Sequence, residues 1–213
     1  MVKLLVFDLD GTLVDSAEDI ARSVNELLST LGRDVLPHER VRSYIGDGVQ
    51  KLLERALAGA PPGAAPSAVA PYLEIYRRRL LDHTRPYPGV VPALDELRPG
   101  RRLAVLTNKP VRESRAILEG LGLDRYFDAV YGGDSFAKKK PDPIGVVHLM
   151  SQFGAGRDET VFVGDSAVDV RTAREAGVRS CLVTYGLGRE EAEPLAPDWQ
   201  VSDLRELVPL VHP

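Results

Sequence analysis

The sequence predicts an α/β protein, a doubly wound parallel sheet interrupted after its first strand by a helical insert. Three observations carry this reading. Short, unbroken apolar runs recur along the chain, as expected of strands buried on both faces. Segments of about ten residues with helical spacing lie between them, the rhythm of βαβ units. One long stretch near the N-terminus carries helical patterns only.

The first run covers residues 3–7 and ends at Asp8. Residues 102–106, 160–163 and 180–183 read in the same way, and 129–131 is a weaker run. The intervening helices are predicted over 90–97, 111–121, 143–153 and 166–176. In the insert, helices are predicted over 17–31, 39–44, 48–57 and 67–81, with the Gly/Ala/Pro-rich stretch 59–66 as a surface bend. Residues 84–89 hold Pro86, Pro88 and Gly89, which resist regular structure and suit a return linker. The expected organisation is an α/β core of residues 1–15 and 84–213 with a helical domain of residues 16–83. Its hinges are expected near Ser16 and over 84–89.

Composition limits the function classes. A chain of 213 residues, 44% apolar and 27% charged, has enough material for a sizeable core in one large domain or a domain with an insertion. Its net charge of -4 speaks against a dedicated nucleic-acid binder. Cys181 is the single cysteine, so no internal disulfide or cysteine-built metal site is expected. No apolar run approaches the roughly 18 residues of a membrane span. The short run before Asp8 does not make a secretory signal either. The expectation is a cytoplasmic monomer or dimer with no membrane partner.

Ligands of an open parallel sheet gather beyond the carboxyl ends of its strands. The first strand is followed by Asp8, Asp10, Gly11 and Thr12, the second run by Thr107, Asn108 and Lys109, and the run at 160–163 by Asp165, Ser166 and Asp169. Lys140 precedes Pro141 in a loop that opens a helix. Packed carboxylates need a compensating cation, and an all-oxygen set suits Mg²⁺. Asp8 and Asp10 are two apart and point the same way in an extended segment, about 6–7 Å apart at Cα. One can attack phosphorus while the other handles protons; an ionised carboxylate needs no base to activate it. Thr107 and Lys140 would stabilise phosphoryl oxygens in the transition state.

The segment from Asp8 to Ser16, with its Asp-Leu-Asp-Gly-Thr start, resembles the first signature of the haloacid dehalogenase superfamily of phosphatases. Thr107, Lys140 and the Gly164-Asp165-Ser166 segment with Asp169 resemble its other three signatures, in order. The resemblance covers essentially the whole chain and implies a Rossmann-like core with an inserted cap. It also implies Asp8 as nucleophile, forming an aspartyl-phosphate, and Asp10 as general acid and base. Mg²⁺ would be held by Asp8, the backbone carbonyl of Asp10, and Asp165, with Asp169 a further ligand or a neighbour of one. Thr107 and Lys140 would grip the phosphate, near the backbone of Gly11 and Asn108.

Three stretches, 44–48, 81–90 and 107–110, are similar to bacterial phosphoglycolate phosphatases, implying a small phosphorylated metabolite, 2-phosphoglycolate, as substrate. Gly46, Asp47 and Gly48 then have two readings, a helix-start turn or a loop whose N–H groups meet the substrate's carboxylate. Pyrophosphate or a sugar phosphate are alternative substrates. A phosphoglucomutase remains open, and so does a phosphonatase using Lys51, the only lysine of the insert, although Asp10 speaks against the latter and against a dehalogenase. From another class, a phospho-accepting signalling domain would share Asp, Mg²⁺, Thr and Lys but lack the insert. Lys138, Lys139 and the run Arg77-Arg78-Arg79 are read as solvated surface. His38, His83, His148 and His212 lack metal-ligand spacing and are read as surface or packing residues, and Trp199 as packing near the last strand.

Overall fold

A computed structural model describes residues 1–211; His212 lies outside them. Six strands among the described residues form one sheet: β1 (Leu4–Phe7), β4 (Arg102–Leu106), β5 (Ala129–Tyr131), β6 (Thr160–Gly164), β7 (Arg179–Val183) and β8 (Trp199–Val201). The order is β5-β4-β1-β6-β7-β8, parallel throughout, with Leu4 opposite both Arg102 and Thr160. This is a Rossmann-type sheet. The chain builds outward from β1 to one side and then to the other, so the strand order reverses at β1 and a crevice opens at its carboxyl end.

Every residue of β1 is fully buried, and alternate residues serve opposite faces. Leu5 and Phe7 join Leu103, Val105, Val161 and Val163 in the larger core. Leu4 and Val6 join Ala104, Leu106 and Phe162 in a second core beneath α7 (Ile144–Phe153) and α8 (Ala167–Ala176). The larger core is covered by α5 (Val90–Leu97) and α6 (Val111–Gly120), and α10 (Leu207–Val211) contributes Leu207 and Val211 to it. A short helix, α9 (Arg189–Ala192), lies beyond β7. No helix among the described residues is long and apolar enough to cross a membrane.

The insert is joined to the sheet by a two-stranded antiparallel ribbon, β2 (Val14–Asp15) with β3 (Arg85–Pro86). Between them lie α1 (Ala17–Thr30), α2 (His38–Arg42), α3 (Val49–Ala56) and α4 (Ala64–Arg77). Asp19, fully buried in the first turn of α1, ties the two connections together. Its carboxylate accepts from the backbone N–H groups of His83 (3.0 Å) and Thr84 (2.8 Å) and from the Thr84 hydroxyl (2.7 Å).

Helix α4 departs from the sequence expectation at both ends. It begins at Ala64, inside the stretch read as a bend. Pro66 falls in the first turn, where its missing N–H has no helical acceptor to satisfy. The helix stops at Arg77, and residues 78–83 continue as turns.

The arginine run is not simply a solvated face. Arg77 reaches the core and pairs at 2.6 Å with Glu113 of α6, which is 1% exposed. Arg78 and Arg79 both pair with Glu26 of α1. Trp199 packs in β8 with the Arg179 guanidinium over its ring.

Candidate active site

The site forms where β1, β4 and β6 end, because three parallel strands in register deliver the residues just beyond them to one crevice. Asp8 follows β1, Thr107 follows β4 and Asp165 follows β6. Asp169 comes from the first turn of α8, where its carboxylate also caps the helix by accepting from the backbone N–H (3.1 Å) and hydroxyl (2.6 Å) of Ser166. Lys140 arrives from the loop before α7.

Lys140 is the cationic centre of this cluster. Its ammonium lies 2.9 Å from Asp8 and 2.6 Å from Asp169, with all three side chains buried. Burial alone would lower its pKa, but the two carboxylates raise it above the ordinary lysine value. Oxygens of Asp8, Asp165 and Asp169 lie within 4.8 Å of one another. Burial pushes Asp165 up to about 8, reinforced by Asp169 and Asp8, although Leu187 and Gly188 donate backbone N–H groups to it. Burial likewise pushes Asp8 up to about 6, against the opposing pull of Lys140. Three carboxylates facing one ammonium are short of positive charge. An all-oxygen set with that deficit fits a hard divalent cation.

Gly11 makes the cluster possible. Its φ of +85° suits glycine, and a Cβ there would lie 2.3 Å from an Asp165 carboxylate oxygen. The Thr12 hydroxyl donates to the other Asp165 oxygen at 3.2 Å.

Asp10 stands apart from the triad. Both its oxygens lie 2.8 Å from the Lys109 ammonium, and one accepts from the Ser16 hydroxyl at 2.5 Å. Its side chain is thus engaged away from the three clustered carboxylates, which accords with a backbone role for Asp10 toward a metal. The Thr107 hydroxyl accepts from the Lys109 backbone N–H at 3.3 Å and keeps its own hydrogen to donate.

Asn108 reaches across to the insert and donates to the Gly46 carbonyl (3.0 Å) and to the Lys140 carbonyl (3.2 Å). Gly48 packs close to the Asn108 backbone, where a Cβ would come within 3.0 Å of its carbonyl oxygen, and its φ is +87°. Asp47 does not bring its carboxylate into the site; it pairs with Arg55, while its carbonyl accepts from Lys139. Lys139, read from sequence as solvated surface, therefore holds this loop. In the sequence Lys109 stands out as a polar residue after a strand and as part of the 107–110 stretch, without a role of its own; its pairing with Asp10 spans 99 positions, and no local signal announces it.

The insert closes over these residues. A cavity of about 50 Å³ separates Asp8, Asp10 and Lys109 from an apolar roof that includes Ile45, Leu52 and Tyr72. Lys51, by contrast, is exposed and paired with Glu54.

The model of the haloacid dehalogenase-like hydrolases matches residues 5–183, most of the chain. The chain belongs to that family. Phosphoglycolate phosphatase 1 of Pseudomonas aeruginosa is 40% identical to this haloacid dehalogenase-like hydrolase over 215 residues, covering 97% of this chain and 79% of the relative. A phosphoglycolate phosphatase of Nitrosospira multiformis is also 40% identical, covering 99% and 96%. Among solved structures, a protein of Haemophilus somnus described as a predicted phosphoglycolate phosphatase superposes with a TM-score of 0.94 at 32% identity, over 99% of this chain and 98% of the other. The hydrolase is a phosphatase of its family.

Proposed function

We propose that this phosphatase is a Mg²⁺-dependent phosphomonoesterase that cleaves a small acidic phosphate ester, 2-phosphoglycolate, to glycolate and phosphate. The observation that carries the substrate class is the cavity above Asp8 and Asp10, where a mostly apolar lining of described residues holds one cation, Lys109. Its volume of about 50 Å³ admits roughly three to five waters at 10–15 Å³ each. That space suits a small leaving group. The similarity to phosphoglycolate phosphatases over 97–99% of this chain supports the acid.

In this reading an Asp8 carboxylate oxygen attacks phosphorus as the ester P–O bond breaks, giving an aspartyl-phosphate and an alkoxide that takes a proton from Asp10. Asp10 then draws a proton from water, whose oxygen attacks phosphorus and frees Asp8. Lys140 and the Thr107 hydroxyl hold the phosphoryl oxygens, worth on the order of 10²–10³ in rate for one such donor. Asp8, Asp165 and the Asp10 carbonyl would hold Mg²⁺, with Asp169 beside them through Lys140 and Ser166. Bound there, the ion would offset the repulsion between the Asp8 carboxylate and an anionic phosphoryl group. A phosphonatase reading is disfavoured, because Lys51 points to solvent and pairs with Glu54 rather than lining the chamber.

The test is kcat/KM for phosphate release, with Mg²⁺, from 2-phosphoglycolate against small phosphate esters, sugar phosphates and pyrophosphate. A clear preference for 2-phosphoglycolate is expected. A flat profile would keep the chemistry and discard this substrate.

A further inference from the structure

The chamber's one cation raises a question that the catalytic roles leave open. Lys109 is the only lysine, arginine or histidine among the described residues lining the chamber. It is 7% exposed, far from any surface role. Its ammonium carries three donor hydrogens; Asp10 supplies two acceptor oxygens, at 2.8 Å each. The face of the Tyr76 ring covers it, 4.8 Å away. One hydrogen therefore remains to give, in a chamber whose roof is apolar.

Tyr76 adds an independent sign of a missing polar partner. It is 2% exposed and lines the chamber, yet its hydroxyl has no hydrogen-bond partner in the protein. Buried hydroxyls are seldom left so. The Gly46 carbonyl, on the loop beside the chamber, is already engaged, accepting from the Asn108 side-chain amide.

We propose that Lys109 is the specificity-determining residue of the site, pairing its ammonium with the carboxylate of the substrate's leaving group inside the chamber. The proposal rests on the phosphatase reading above and assigns the contact that selects an acid. A carboxylate in an apolar enclosure needs a counter-charge, and Lys109 is already held there by Asp10 and Tyr76, so little ordering is left to do on binding. The same ammonium then bridges Asp10 and the leaving group, placing the acid beside the bond that breaks. Tyr76 supplies a second donor to the substrate.

The test compares 2-phosphoglycolate with 2-hydroxyethyl phosphate, an ester of nearly equal size whose carboxylate is replaced by a hydroxymethyl group. The wild-type protein is expected to prefer the acid. Lys109→Met should lower the ratio of the two kcat/KM values by at least about 30-fold, mainly through KM for the acid. Lys109→Arg should keep a clear preference, and Tyr76→Phe should raise KM for the acid more than for the neutral ester.

Because Lys109→Met strands Asp10, the ratio is also measured as binding. Asp10→Asn is compared with Asp10→Asn/Lys109→Met by calorimetry, with the same two esters and Mg²⁺. The first should bind the acid far more tightly, and the second should bind both alike. Equal losses on both esters in Lys109→Met, or an acid preference that survives in the double variant, overturns the role of Lys109 while leaving the substrate reading intact. A wild-type protein that does not distinguish the two esters overturns the acidic-substrate reading, and this proposal with it.

Discussion

Asp8 and Asp165 occupy a site where ionisation costs free energy. Both carboxyls titrate well above the ordinary range, near 6 and near 8, because burial and neighbouring carboxylates oppose ionisation. Between about pH 4 and pH 8 the folded metal-free protein binds more protons here than the unfolded chain does, so this contribution to stability falls as pH rises. Thermal melts in chelator should therefore show a lower Tm at pH 8.5 than at pH 5. Mg²⁺ should raise Tm more at pH 8.5 than at pH 5, and an equal increment at both would contradict the assignment. Asp8→Asn should abolish turnover and leave the fold intact, whereas appreciable residual activity would remove Asp8 as nucleophile. Asp10→Asn should slow turnover by roughly 10²–10⁴ yet still bind Mg²⁺, since the Asp10 side chain faces Lys109 and Ser16. Metal affinity lost together with activity would make that side chain a ligand.

At the scale of elements, the junction between sheet and insert depends on the first turn of α1. Asp19 accepts from His83 and Thr84 across 64 and 65 positions of chain. Asp19→Ala would leave the Thr84 N–H and hydroxyl buried without an acceptor. A cost of about 3 kcal/mol is expected, lowering Tm by roughly 6–12 °C in a chain of this size. Asp19→Asn keeps one acceptor oxygen and should lose less. A melt of Asp19→Ala within 2 °C of wild type, roughly the noise of such a shift, would show that the ribbon β2–β3 holds the junction unaided. The sequence places the expected hinges near Ser16 and over 84–89. Nothing in it signalled that one buried aspartate joins them.

For the whole molecule, the position of the insert over the site is held by a few ties: Arg77 to Glu113, Asn108 to the Gly46 carbonyl, and Lys139 to the Asp47 carbonyl. The insert is expected to act as a lid that opens for substrate and closes to exclude water. Arg77→Met would bury the Glu113 carboxylate without its partner and should favour the open arrangement. Amide exchange should then rise in α4 while β1 stays protected, and Arg77→Met/Glu113→Gln should recover part of the protection. Unchanged exchange in α4 would show that apolar packing alone seats the insert.

Much of this was legible in one dimension. The apolar runs marked five of the six strands of the main sheet, the last being sensed only through Trp199, because burial on both faces leaves an uninterrupted signature. The residues placed after β1, β4 and β6 were legible for a related reason. A parallel sheet returns each strand in the same direction, so the residues beyond the strand ends collect at one edge, and the spacing of Asp8, Thr107 and Asp165 predicts a shared site. Partnership across the fold was not legible. Lys109 with Asp10, Arg77 with Glu113, and Lys139 with the Asp47 carbonyl all join residues at least 36 positions apart. An ion pair depends on distance in space and on exclusion of water, and neither is written into local composition. Sequence alone thus determined the elements, their order and the chemistry gathered at one sheet edge. Only the tertiary structure decided which charges meet and that, among the described residues, Lys109 is the one cation lining the cavity beneath the insert, because both depend on distances in space that the chain order does not set.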